Sequence, residues 1–360
     1  MRDWFATLAL LAACGDNLHP VAAADVSILY PLPDSRDQLI AMSEQGAYGV
    51  MFPEPIFPTA IGPVDVGVSY SDMRMVALRL DPCSARNDCN SELRAIFQPV
   101  VQGDGGVTVA DGAVHVFYGM PRAELLSILD EILALKESYG AGVEYGDTLG
   151  PQPILVANGL DSPFARGLHA LVLAHLGESR IERFTERNHQ IPGFDRWDFY
   201  LFDGDGLPRQ DIFDTGADEQ QLTGTRTDPE KDGGVIGVNP ALDSALNPIV
   251  DVNRPAELND GIRAGYARAL ELQDPTKENS ESADCVSCHL AEGARHIGET
   301  EYGLSPDGAF HSERSLAYER DLRPITNLHM FAYNGRSVSI GQRVANESAV
   351  VADTMQRLLR

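Results

Sequence analysis

Along this chain the spacing of apolar residues switches between a period of two and a period of three to four, and each switch marks an element. Val26-Ser27-Ile28-Leu29-Tyr30, Arg74-Met75-Val76-Ala77-Leu78-Arg79-Leu80 and Ala113-Val114-His115-Val116-Phe117-Tyr118 are β-branched or alternating runs, which predicts strands. The third runs into Pro121, after which Leu125, Leu126, Leu129, Ile132 and Leu133 recur at helical spacing, so a helix with Pro near its first turn is expected. The Ala- and Leu-rich stretch 162–176 predicts a second helix. Trp197 to Phe202, followed by Asp203-Gly204-Asp205-Gly206, reads as a hairpin with a Gly-rich turn. Further on, Ile262, Tyr266 and Leu270 predict a helix over 257–272. Val351, Met355, Leu358 and Leu359 form one stripe of a closing helix for which Asn346 is the expected N-cap. Residues 25–250 therefore read as an α+β body without internal repeats.

Composition narrows the class. Hydrophobic residues at 43% and charged residues at 22% describe a globular chain and exclude a disordered or collagen-like one. At 360 residues, two domains are the prior expectation. With 28 Lys and Arg against 53 Asp and Glu, the formal net charge is -25, which repels phosphate backbones and excludes nucleic acid as a partner. The charge is concentrated: the first 252 residues carry net -21 and residues 253–360 net -4.

The first ten-residue apolar run, 4–13, is too short to span a bilayer and has the size of a signal-peptide core. It ends in Leu11-Ala12-Ala13-Cys14-Gly15, which resembles the lipobox of a bacterial lipoprotein. That resemblance implies cleavage after residue 13, a lipidated Cys14 and a tether over 14–24. Gly15 in place of an Asp points to the outer membrane, facing the periplasm. An ordinary signal peptide with a chance cysteine is the alternative.

Export sets the redox context for the other cysteines. Cys83 and Cys89 flank a polar, turn-prone segment, and a disulfide closing so small a loop stabilises by about 2 kcal/mol. A redox-active pair usually has two intervening residues rather than five. Asp203 and Asp205 fall short of a calcium-loop ligand set, so a plain turn is expected. His115, His169 and His175 lie on apolar stretches and read as satisfied or surface side chains rather than ligands. Residues 25–250 contain no nucleophile elbow, phosphate loop or paired-histidine motif.

The residues that carry chemistry are Cys285-Val286-Ser287-Cys288-His289. Cys-x-x-Cys-His is the attachment signature of a c-type haem: two thiols one helical turn apart reach two vinyl groups, and the adjoining imidazole ligates iron. A random chain of this composition would contain it with a probability of roughly one in six hundred. Zinc held by Cys285, Cys288 and His289 is the competing reading, but it needs further ligands and there is no second Cys-x-x-Cys.

The last hundred residues resemble a monohaem, class I-like cytochrome c domain: the attachment motif, Asn327-Leu328-His329-Met330-Phe331 as a source of the distal ligand, and the closing helix. The resemblance implies a mainly α-helical haem domain over 251–360, one covalent haem c, His289 as proximal ligand and one-electron transfer. In that family the closing helix packs on the helix preceding the haem. The polar segment Gln273 to Ala283 departs from the family, because the motif there follows closely on its first helix. Met330 and its neighbour His329 are the candidate distal ligands, with His296, His311 or an open, water-bound site as alternatives. Arg295, Arg314, Arg323 and Arg336 are candidates for pairing with haem propionates.

The expectation is thus a lipid-anchored periplasmic cytochrome that passes electrons to a periplasmic or membrane redox partner, rather than a catalyst. A haem enzyme or sensor with an open iron and a substrate- or signal-binding N-terminal body is one alternative; a zinc-binding envelope module is another. The odd count of five cysteines fits the first reading: Cys14 to lipid, Cys83 and Cys89 to a disulfide, Cys285 and Cys288 to haem.

Overall fold

The structure is a computed structural model. It describes residues 20–57, 69–82, 91–103, 105–110, 112–191, 194–202, 208–210, 220–228, 231–236, 244–251, 253–278, 283, 285–312, 314, 317–318 and 329–360, with side chains except at 186–244, 285, 286, 317 and 318.

An antiparallel sheet organises the chain. Its strands are β1 (Ser27–Leu29), β2 (Met73–Asp81), β3 (Ser91–Gly103), β4 (Gly106–Val109), β5 (Val114–Met120), β6 (Ile181–Ile191), β7 (Phe194–Phe202), β8 (Gln220–Asp228) and β9 (Lys231–Ile236). The order across the sheet is β1-β2-β3-β5-β6-β7-β8-β9, with β4 folded back on β3 and a short strand, Pro208–Gln210, paired with β7. The runs at 74–80 and 113–118 are strands as expected, and the one at 26–30 contributes β1 after a short helix α1 (Ala23–Val26). The hairpin after Trp197 forms through Pro208–Gln210; Asp203 and Asp205 lie outside the described residues.

One face of the sheet meets water-excluding helices. Leu78, Leu80, Leu93, Ala95, Phe97, Val114, Val116, Tyr118 and Phe184 are buried. They share a core with α2 (Arg122–Tyr139), α3 (Pro153–Asn158) and α4 (Pro163–His175). Pro121 caps α2, and Leu125, Ile128, Leu129 and Ile132 are its buried stripe. Ser162 Oγ accepts from Ala165 N to start α4, whose Pro163 lacks the N–H that a first turn leaves unpaired.

The remaining elements are α5 (Asn247–Val250), α6 (Asp260–Leu272), α7 (Cys285–Thr300), the hairpin β10 (Phe331–Asn334) and β11 (Ser337–Ile340), and α8 (Gln342–Leu358). They correct the expectation of a mainly α-helical cytochrome-like domain over 251–360. A β-hairpin occupies 331–340 within that segment, and the described residues are α+β around the large antiparallel sheet. Met330, Phe331, Tyr333, Ile340, Val344, Val351, Ala352 and Met355 are buried in the same core as the first 184 residues. The closing helix starts at Gln342, four residues before the expected cap, and Asn346 instead donates from Nδ2 to Gln273 O (2.7 Å). Its buried stripe is Val344, Ala345, Ser348, Val351, Ala352 and Met355, while Leu358 is exposed. That stripe lies against α1. Two hydrogen bonds fix the contact, Ser27 Oγ with Ser348 Oγ (2.7 Å) and Val21 N to Gln356 Oε1 (2.7 Å). Periodicity reports that a helix has a buried face and is silent about which surface covers it.

A buried amide ties the hairpin to the sheet, beside the bond from Val109 N to Gly335 O (3.0 Å). Gln98, fully buried, donates from Nε2 to Tyr333 O (3.1 Å) and accepts from Tyr333 N (2.9 Å), while Tyr333 Oη donates to Tyr30 O (2.7 Å). Gln98→Leu would leave the Tyr333 N–H and C=O buried without partners. A loss of roughly 2 kcal/mol in denaturant unfolding is expected; a midpoint equal to wild type would show that the pair contributes nothing.

Candidate functional site

The second face of the sheet is polar, and cross-strand register sets its pattern. Arg79, Arg94, Phe117 and Arg183 lie opposite one another on four adjacent strands, and Ala77, Ile96, His115 and Thr185 form the next row on the same face. Phe117 is clamped between guanidiniums, with Arg183 at 4.1 Å and Arg94 at 4.5 Å from its ring centre. Glu92, buried, pairs with Arg183 (2.9 Å) and Arg94 (3.7 Å). Burial raises its carboxyl above the usual range, with the two arginines pulling the other way.

The C-terminal elements cover this face. Glu347 of α8 pairs with Arg79 (3.2 Å) and lies 3.9 Å from Arg343, and Phe331 of β10 packs under Arg79 at 5.6 Å. Burial alone would raise the Glu347 carboxyl, but Arg79, Arg343 and Arg94 outweigh it and hold it at about 2.

Helix α7 opens on the attachment motif. Its stripe Leu290, Ala291, Ala294 and Ile297 packs with Ile262, Tyr266 and Leu270 of α6 and Ile249 of α5 in a second, smaller core. The fit is close: a Cβ on Gly298 would lie 2.2 Å from the Tyr266 ring. At 100° per residue, Cys288 and His289 fall on the other side of the helix from that stripe. Cys288 packs against the main core instead. α7 thus wedges between two cores, and its motif-bearing side is turned from the smaller core toward the sheet.

His115 lies on the covered face of the sheet, in the row next to Arg94 and Phe117. Desolvation drives its basicity well below the usual imidazole range, followed by the charges of Arg94, His289, Arg79 and His329. The environment of His115 therefore includes both C-terminal imidazoles. Yet His115, Cys288, His289 and Arg94 all keep partial solvent access, whereas His329 is buried. The sequence pattern assigned His115 to a satisfied or surface role; only the register of β3, β5 and β6 with the covering layer reveals its place.

The other expected residues are distributed as follows. Met330 is buried, with its Sδ 2.5 Å and Glu292 Oε2 2.9 Å from where a Gly341 Cβ would stand, and Gly341 N donates to Met330 O (2.8 Å). Glu292 Oε2 accepts from Gln342 N (3.0 Å), so Met330 sits in the seam between α7 and α8. His329 O accepts from Ser339 Oγ (2.8 Å). His296 lies two turns along α7 from His289, about 10 Å along the axis, and His311 is exposed. Arg295 bonds Glu299 and Gln273, Arg314 bonds Asp353 and Val21 O, and Arg336 bonds Gly105 O. His169 pairs with Glu44, and His175 with Glu124. Cys14, Cys83, Cys89 and Arg323 lie outside the described residues, as does the side chain of Cys285. Among the described residues no group of three His, Cys, Asp or Glu side chains is placed to hold a bare metal ion, and no helix is long and apolar enough to cross a membrane.

No protein-family model, curated protein or solved structure matches the chain.

Proposed function

We propose that this chain is a c-type cytochrome of the bacterial envelope, lipid-anchored through Cys14 and stabilised by a Cys83–Cys89 disulfide, that carries one haem on Cys285, Cys288 and His289 and transfers single electrons. The observation that carries the reading is the pentapeptide at the start of α7, whose Cys288 and His289 keep partial solvent access. The donor set suits an iron porphyrin better than a bare ion: a thiol and an imidazole on consecutive helix positions, further imidazoles from His115 and His329, and guanidiniums for an anionic edge. Bound haem supplies one-electron iron chemistry.

The chain's own groups supply the rest. Cys285 and Cys288 would hold the porphyrin through thioethers, and the His289 imidazole would be the ligand that this helix offers to its iron. Periplasmic or membrane redox proteins are the partners, with a cationic docking surface suited to a chain of net charge -25.

The test is the visible spectrum of the exported protein. Reduced-minus-oxidised difference bands and a pyridine haemochrome equivalent to one haem c per chain are expected, with no free thiol in the mature protein. Stoichiometric zinc without iron would replace this reading with the zinc module.

A further inference from the structure

We infer that the surface around Pro20, formed by the ends of α2 and α8, is a membrane-apposed face that rests on zwitterionic phospholipid headgroups. This rests on the lipoprotein reading of Cys14 proposed above and is independent of the haem. It goes beyond that reading by assigning which side of the body meets the lipid.

The tether is shorter than the 14–24 expected, because the chain is gripped from Pro20 onward. Val21 is fully buried; its N–H donates to Gln356 Oε1 (2.7 Å), and its carbonyl accepts from Arg314 Nη1. Pro20 O accepts from Lys136 Nζ (3.4 Å). Asp25, also fully buried, accepts on Oδ2 from both Ala22 N (2.8 Å) and Lys136 Nζ (2.6 Å). Six peptide steps then separate a lipidated Cys14 from Pro20, a reach of at most about 22 Å. Residues 21–360 make a body about 50 Å across. A leash of less than half that width keeps the attachment side toward the bilayer and the opposite side away from it.

Two helices end beside that attachment. Lys136 lies in the last turn of α2 and Gln356 in the last turn of α8, so both ends are tied to the entering chain. The final residues of the two helices, Tyr139 and Leu358, are 41% and 39% exposed. Asn158 Nδ2 donates to Tyr139 O (3.0 Å), which brings in α3, whose Val156 is 60% exposed. Four large apolar side chains are exposed among the described residues, and three of them are these. Apolar tips gathered where the chain must approach lipid form an interfacial contact, with the tyrosine ring at headgroup level.

The lipid type follows from charge. A net charge of -25 repels an anionic surface, so the contact is apolar and its partner zwitterionic. Three side chains do not hold a free protein on a bilayer; a lipid on Cys14 supplies the effective concentration at which they do. The contact is therefore expected in the lipidated form alone.

Hydroxyl-radical footprinting of the exported protein tests this. Wild type, its lipid verified by intact mass, is reconstituted on vesicles of phosphatidylcholine and phosphatidylethanolamine. The comparison is the Cys14→Ser chain, exported behind an ordinary signal peptide and mixed with the same vesicles. Tyr139 and Leu358 are expected to be oxidised several-fold more slowly in the lipidated protein, and Tyr48 equally in both. Tyr48 packs under Arg180, which pairs with Glu124 in the first turn of α2, about 22 Å along the helix from Tyr139. Lipidated Leu358→Glu is expected to stay with the vesicles and to regain oxidation at Tyr139, because the charge costs the contact and not the anchor. Equal oxidation of Tyr139 and Leu358 with and without lipid overturns the assignment of this face while leaving the lipoprotein reading intact. Protection that is equal in the Cys14→Ser chain and deepens with protein concentration identifies a second copy as the occupant, and overturns it too. A mature protein whose mass carries no lipid overturns the lipoprotein reading itself.

Discussion

Glu347→Gln is expected to destabilise the protein by roughly 3 kcal/mol at neutral pH, because it strips the countercharge from a guanidinium on a covered sheet face. Arg79 is only 9% exposed, and its Nε also lies 3.4 Å from Ser27 Oγ. A guanidinium stays protonated at any accessible pH, so it cannot escape the penalty by losing its proton. The magnitude follows from Glu347 itself, held at about 2 against an ordinary 4.5. The sign follows from the same values. A carboxyl whose acidity is strengthened by folding contributes fully above pH 4.5 and loses its contribution as pH falls toward 2. Wild type and Glu347→Gln should therefore differ most at pH 6–7 and converge in acid. Urea midpoints across that range are the measurement; a pH-independent gap would mean that shape rather than charge is being lost.

Met355→Ala is expected to cost about 2–5 kcal/mol, the range for emptying a fully buried aliphatic position. Its interest lies in where the loss is felt. Met355 belongs to the core built from β2, β3, β5 and α2, so the N-terminal sheet should unfold with it in one transition. Were the closing helix part of a separate haem domain, the N-terminal body would keep its own midpoint. Calorimetry on the purified protein distinguishes the two: a single shifted endotherm supports a shared core, and an unshifted first endotherm contradicts it.

Much of the local structure is legible in the residues. Alternation at 74–80 and 113–118 gives strands, and the leucine spacing after Pro121 gives a helix, because a side chain's direction depends only on its own backbone period. The layer that covers the second face of the sheet is not legible. Arg79, Arg94 and His115 alternate with Leu78, Leu93, Val114 and Val116, and such alternation ordinarily marks a solvent-facing side. Here the charges are matched by Glu92 and by Glu347, which is more than 250 residues away along the chain from either Arg79 or Arg94. No local pattern encodes a pairing over that distance. The Cys-x-x-Cys-His pattern is readable because it is a spacing within five residues. The place of His115 is not, because it depends on sheet register and on the return of the C-terminal segment.

That return has a consequence for how the molecule is assembled. Val21 and Ser27 are bonded by Gln356 and Ser348, residues synthesised more than 300 positions later. Contacts of such separation carry a large loop-closure cost and are made late. The leading segment must therefore wait, its apolar face uncovered, until the final helix arrives and roofs the sheet.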